Sequence, residues 1–265
     1  MTTKVNNNIY FSSYKSLFIM FLKSGELKFF RIIILLTSVL FITVNFVWPD
    51  KGIRKVTIDG DGRGHYLYLP VIFINHTVDF KNAFEKEKKE RAGFIGHNFH
   101  KINGVYINKF AVGTAVLISP FFLVTQAITI LLGKTTDGFS LPFQYAAAIA
   151  AWFWLIVGIY FFRKLLKLYN LPEEAILWIT IFLITATNLF HYAFLEVTFS
   201  HLYSFSIISV FAYKTKYLLK AFSVKKLAFA AFLFGVVVLI RQVNVFVLLV
   251  IPFLADDKKQ LISLL

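Results

Sequence analysis

Phe29-Phe30-Arg31-Ile32-Ile33-Ile34-Leu35-Leu36-Thr37-Ser38-Val39-Leu40-Phe41-Ile42-Thr43-Val44-Asn45-Phe46-Val47-Trp48 carries a single charge, Arg31. As a helix rising about 1.5 Å per residue it covers the roughly 30 Å of hydrocarbon in a bilayer, and Trp48 suits the far interface. Working outward, apolar blocks recur at residues 111–132, 143–162, 175–194 and 202–213, and at 227–254, where Arg241, Gln242 and Asn244 interrupt. Hydrophobic residues make up 58% of the 265 and fall in blocks rather than alternating, so the expected fold is an all-α polytopic membrane protein.

The formal net charge of +14 would suggest nucleic acid in a soluble chain. Here the Lys and Arg gather at the ends of apolar blocks, where topology and anionic headgroups account for them, and nucleic acid is discounted as a partner. With no Cys in the chain, disulfides, thiolate zinc sites and thiol nucleophiles are excluded. Residues 1–28 read as a cytoplasmic segment with a short interfacial helix at 17–22. The first block ends Val47-Trp48-Pro49-Asp50 without a small-residue cleavage site, so it reads as an anchor rather than a signal peptide. Residues 29–265 form the transmembrane domain, with a long first outer loop at 50–110. In that loop, residues 71–80 and 81–91 read as short surface helices, the second carrying i,i+4 charge pairs such as Glu85 and Lys89. Ending soon after an apolar block, the chain reads as the N-terminal portion of a longer protein.

Charge sets the topology. If the N-terminus, Arg163-Lys164-Leu165-Leu166-Lys167, residues 214–226 and Lys258-Lys259 share one side, an even number of crossings separates each pair. Three apolar runs precede Arg163, so one should not cross. Residues 111–132, interrupted by Ser119-Pro120-Phe121-Phe122, are expected to dip into the outer leaflet and return. By the same parity, residues 227–254 are expected to be two short helices meeting at Arg241. That leaves about six membrane segments, with Asp61, Lys109, residues 196–201 and Arg241 all facing the outer side.

Asp59-Gly60-Asp61-Gly62-Arg63-Gly64-His65-Tyr66 follows the first membrane helix. Glycines on both sides of Asp61 allow close approach to a ligand beside Arg63 and His65, although Gly-Asp-Gly is also a plain turn signature. Asp59 reads either as a partner carboxylate or as a turn residue. Glu196 and His201 lie between two spans, where ionisable groups mark function or merely snorkel at a helix end. Arg241 sits inside an apolar block at a cost of about 2.5–3.5 kcal/mol, which calls for a polar cavity or an anion, and its guanidinium fork suits a phosphate. Lys109 fits a second phosphate contact or an interfacial anchor. His76, His97, His100 and His191 show no zinc spacing, so no metal ligand is assigned and a divalent cation is left open. Together these groups suggest a lipid-linked phosphate donor: cations hold the leaving phosphate while the carboxylate acts as general base on an acceptor hydroxyl.

The chain from about Arg31 onward resembles the GT-C superfamily of integral-membrane glycosyltransferases, in the branch of dolichyl-phosphate-mannose protein mannosyltransferases and bacterial aminoarabinose transferases of lipid A. The likeness rests on one span before a long outer loop, an early Asp followed by a Tyr (Asp61, Tyr66), and a Lys before an apolar segment with a Pro (Lys109, Pro120). It continues in the basic turn at 163–167, the polar turn at 196–201 and a Gly-bearing apolar helix ending in Arg241. The resemblance implies an inverting transfer from a polyprenyl-phosphate sugar to a glycan, lipid or protein acceptor. It implies Asp61 as base, Arg241 and Lys109 near the lipid phosphate, and a multi-pass bacterial inner or plasma membrane protein among membrane lipids. Two departures are plain. Gly62 stands where relatives often have an acid, and Glu196 and His201 stand where they have an Asp. The rival expectation from another class is a transporter or lipid flippase with Arg241 and Glu196 lining its path.

Overall fold

The computed structural model describes residues 25–47, 57–90, 99–257 and 260. The expected helix at 17–22, and Trp48, lie outside them. Helix α1 (Gly25–Ile42) widens into a π turn at Thr43–Val47, where the Asn45 amide donates to the Phe41 carbonyl. Among the described residues, five short elements follow: α2 (Gly60–Tyr66), α3 (Tyr68–Phe73), α4 (Lys81–Glu90) and the strands β1 (Phe99–Ile102) and β2 (Val105–Asn108). Then come α5 (Gly113–Leu131), α6 (Leu141–Lys167), α7 (Glu173–Thr185), α8 (Leu189–Phe194), α9 (Ser200–Lys220) and α10 (Val224–Ile240). A 3-10 helix (Gln242–Val250) runs into α11 (Ile251–Leu254). Among the described residues, three helices are long and apolar enough to cross a bilayer: Leu27–Val47, Gly113–Leu131 and Leu141–Lys167. The chain is an α-helical membrane protein.

α1 and α6 pack antiparallel. Phe30 meets Tyr160, Phe41 meets Trp152 and Phe46 stacks on Tyr145. The chain therefore leaves α1 and enters α6 at the same end of the bundle, and the Gln144 side chain seals that end by accepting from the Thr57 and Ile58 N–H groups, both at 3.0 Å. α5 lies beside α2 and α3 and against the nearer half of α6: Leu117 O accepts from the Trp154 indole, Phe122 packs on Phe143, and Gln126 donates to Phe73 O. Its trailing loop returns to the same place, where Gly138 O accepts from the Tyr66 hydroxyl at 2.8 Å.

α5 is nevertheless one continuous helix, and the break expected at Pro120 does not occur. Pro120 lacks the N–H that would bond the Val116 carbonyl, and the Ser119 hydroxyl supplies that bond instead at 2.8 Å. At Arg241 the expected reversal is present. α10 stops there, with Arg241 in an extended conformation, and the chain runs back until Leu254 O accepts from Lys216 Nζ. The 3-10 geometry, rising about 2.0 Å per residue, gives this short return its reach.

Other expectations need correction. The single helix expected over 175–194 is split into α7 and α8. At the split, the Thr187 hydroxyl donates to Leu183 O and accepts from Leu189 N–H, competing with the helical ladder. The helix expected over 71–80 begins earlier, at Tyr68, and ends at Phe73, ahead of His76 with its positive φ of 51°. An all-α fold is also not the whole account: β1 and β2 form an antiparallel hairpin. Its turn, Asn103-Gly104, has φ of 49° and 85°, the left-handed pair that two-residue hairpins require. Phe99 and Tyr106 pack the hairpin on Phe80 and Phe84, forming a small core with Leu67 and Val71.

Candidate functional site

α2 is where sequence and site meet. Asp59 caps it, its carboxylate accepting from Gly60 N–H at 2.8 Å, so Asp59 is a helix cap rather than a partner carboxylate. Helical periodicity then sorts its residues. Asp61 and His65, four apart, share one face and line a cavity of about 320 Å³. Arg63, two on from Asp61, points the opposite way, over the Phe139 ring at 4.2 Å, and lines a separate cavity of about 220 Å³. Tyr66 is in the core, with its hydroxyl engaged by Gly138 O. Arg63 and Tyr66 therefore leave the set of substrate-binding candidates at the Asp61 cavity.

Three more segments close that cavity. At the end of β2, Asn108 donates to Gly64 O at 2.7 Å and its amide oxygen accepts from Phe110 N–H, which places Lys109 at the rim. Tyr68 donates to Phe110 O at 2.6 Å and holds the same stretch against α3. The start of α9 contributes Phe199, Ser200 and His201, and the corner after α10 contributes Arg241, Gln242 and Val243. Gly62 and Gly64 permit this closure. A Cβ at Gly62 would meet Thr198 and Phe199, and one at Gly64 would meet the Phe110 ring. The glycines serve close packing of α2 rather than loop freedom.

Within the cavity, Arg241 Nη1 lies 2.9 Å from His201 Nδ1. The imidazole stacks on Tyr192 of α8, with centroids 4.3 Å apart and planes at 15°. Asn244, three residues beyond Arg241, donates to Ser204 Oγ and to Val237 O, pinning the corner to α9 and α10. The guanidinium is thus held by a short aromatic and amide scaffold. Glu196 does not join it: its carboxylate pairs with His191 at 3.0 Å on the neighbouring surface and is not among the cavity-lining residues. Among the described residues, Asp61 is the one carboxylate lining the cavity. Ser200 and Gln242 are lining residues that sequence reasoning left without a role. Gln242 had a signal, being polar inside an apolar block, whereas Ser200 had none beyond its neighbours.

His65 is buried, with Nδ1 3.3 Å from the Ala111 carbonyl. A carbonyl only accepts, so Nδ1 bears the proton and Nε2 is left as an acceptor. Burial lowers its pKa to about 4, against the raising effects of that carbonyl and of Asp61 and with a further lowering from Arg241. The sign follows from linkage. A depressed histidine leaves stability intact above its unfolded value near 6.5 and loses it as pH falls toward about 4, by up to about 3 kcal/mol. The denaturation midpoint of the wild type should therefore fall more steeply than that of His65→Gln between those pH values; parallel curves would refute the assignment.

A divalent cation does not fit this set. One carboxylate faces two cationic side chains, and His201 is already engaged by Arg241. Nor do the described residues hold any group of three or more His, Asp or Glu side chains arranged for a metal. Compared with protein-family models, curated proteins and solved structures, the chain matches none.

Proposed function

We propose that this chain is a membrane glycosyltransferase that moves a sugar from a polyprenyl-phosphate donor to an acceptor hydroxyl on the outer face of the membrane. The carrying observation is that Asp61, Lys109 and Arg241, from three distant parts of the chain, line one cavity. A base and two cations are what such a transfer needs. The acceptor O–H gives its proton to the Asp61 carboxylate, its oxygen attacks sugar C1, and the C1–O bond to phosphate breaks with inversion. The departing polyprenyl phosphate keeps the bonding electron pair, and Arg241 and Lys109 offset its charge. The acceptor is a glycan, lipid or protein.

The topology belonging to this reading has six crossings: α1, α6, α7 with α8, α9, α10, and the return from Gln242 to Leu254. α5 lies in the outer half without crossing. The basic residues at 163–167 and 214–226 then fall on the cytoplasmic side of a plasma or bacterial inner membrane, and the cavity on the other. Single cysteines introduced into this Cys-free chain test it. Lys134→Cys should react with an impermeant maleimide in intact cells and Lys167→Cys only after lysis; labelling of both before lysis would defeat the topology.

The direct test of function uses the purified chain in liposomes with radiolabelled polyprenyl-phosphate sugars. Loss of sugar from the lipid and release of polyprenyl phosphate are expected. Movement of intact labelled lipid between leaflets, without cleavage, would favour a flippase.

A further inference from the structure

His65 is only 6% exposed, yet it lines the Asp61 cavity. Its Nδ1 is engaged by the Ala111 carbonyl, while its Nε2 has no hydrogen-bond partner among the described residues. Nε2 is also not among the buried atoms sealed from solvent, so it opens onto the cavity. Burial lowers the pKa of the ring to about 4, which keeps it uncharged at neutral pH. With the Nδ1 proton given to the carbonyl, Nε2 offers a lone pair and no N–H. Asp61 stands one helical turn away on the same face, at a Cβ separation of roughly 5–6 Å. Arg241 and His201, from the other walls, are also close enough to act on the charge of the ring. A buried acceptor in this position is costly until a ligand donates to it.

We propose that His65 determines specificity: its Nε2 accepts a hydrogen bond from the sugar hydroxyl on the carbon next to C1. The inference rests on the glycosyltransferase reading and narrows its substrate to sugars with a free hydroxyl at C2. The placement follows from α2. With the phosphate on Arg241 and the attacking oxygen at Asp61, C1 lies between them, and a group one turn from Asp61 reaches the substituent beside C1. A lone pair selects a donor at that substituent, which a hydroxyl is and a fluorine or an ether oxygen is not. Positive charge developing at C1 makes the neighbouring hydroxyl a stronger donor, so the contact tightens as the bond to phosphate breaks.

The test is calorimetric titration of the full chain in mild detergent with neryl-phosphate mannose, galactose and xylose, each beside its 2-deoxy-2-fluoro counterpart. The wild type should bind a hydroxyl sugar about tenfold to a hundredfold more tightly than its fluoro counterpart, the effect of leaving a buried acceptor unpaired. His65→Asn puts its amide nitrogen at the Nδ1 position, which keeps the bond to Ala111 O and removes the Nε2 lone pair. It should bind the hydroxyl sugar only as well as the fluoro form. His65→Gln puts an amide oxygen at the Nε2 position and should keep most of the preference. Equal binding of the two forms by the wild type would overturn the inference and leave sugar transfer standing, whereas no binding of any probe would overturn both. Equal weakening of all ligands in both variants, with the preference retained, would make His65 a mere support of α2 and also overturn the inference. If His65→Asn fails to fold, the wild type and His65→Gln decide the matter.

Discussion

Asp61→Asn is expected to lower sugar transfer by about a hundredfold to ten-thousandfold, the range for loss of a positioned general base, while the protein stays folded and inserted. The amide keeps the size of the carboxylate at an exposed position on the cavity face of α2, so the cavity should keep its shape. It cannot take the proton of the acceptor hydroxyl. Donor affinity should hold or rise slightly, because a negative charge near the phosphate has been removed. A variant with wild-type turnover would end the assignment of Asp61 as base. If transfer were lost together with a collapse in melting temperature, the more conservative Asp61→Glu separates the causes, since it should fold and retain partial activity.

Arg241→Gln is expected to cost about a hundredfold to a thousandfold in turnover, comparable to removing a preorganised donor from developing negative charge. Arg241→Lys should fall between the two. It keeps a point charge but not the fork that can hold His201 and a phosphate oxygen together. His201→Phe makes a companion measurement: it preserves the stacking surface on Tyr192 and removes the contact to the guanidinium. If Arg241 needs that support, His201→Phe should raise the donor KM more than it lowers kcat, and combining it with Arg241→Gln should add little further loss. Unchanged donor KM and turnover in Arg241→Gln would place the phosphate elsewhere.

Much of this arrangement could be read from charge counting alone. The alternation of basic ends required one apolar run before Arg163 not to cross and residues 227–254 to fold back. The pairing of α1 with α6 and the turn at Arg241 both follow that pattern. The same parity put Asp61, Lys109, His201 and Arg241 on one side, and all four line the cavity. What was misread came from treating 59–66 as a loop. In a glycine-rich loop Arg63 and His65 are equivalent neighbours of Asp61, whereas in a helix they diverge, and the cap Asp59 was the sign of a helix. Glu196 was misplaced for another reason. Its partner His191 lies five residues back across a helix end, and no spacing rule favours that pair over a cavity. The hairpin was legible in Asn103-Gly104 but was hidden by the weight of apolar composition around it.

The close contacts of α2 also bear on how the site can vary. Gly62 and Gly64 meet Thr198, Phe199 and the Phe110 ring with no room for another carbon. Divergent copies of such a gene could therefore change little on that wall without spreading the cavity open. Variation is left to the rim, where the exposed Lys109 and the corner residues Gln242 and Val243 border the opening. A lineage acquiring a new substrate would be expected to record the change there, around a wall held constant by the absence of side chains.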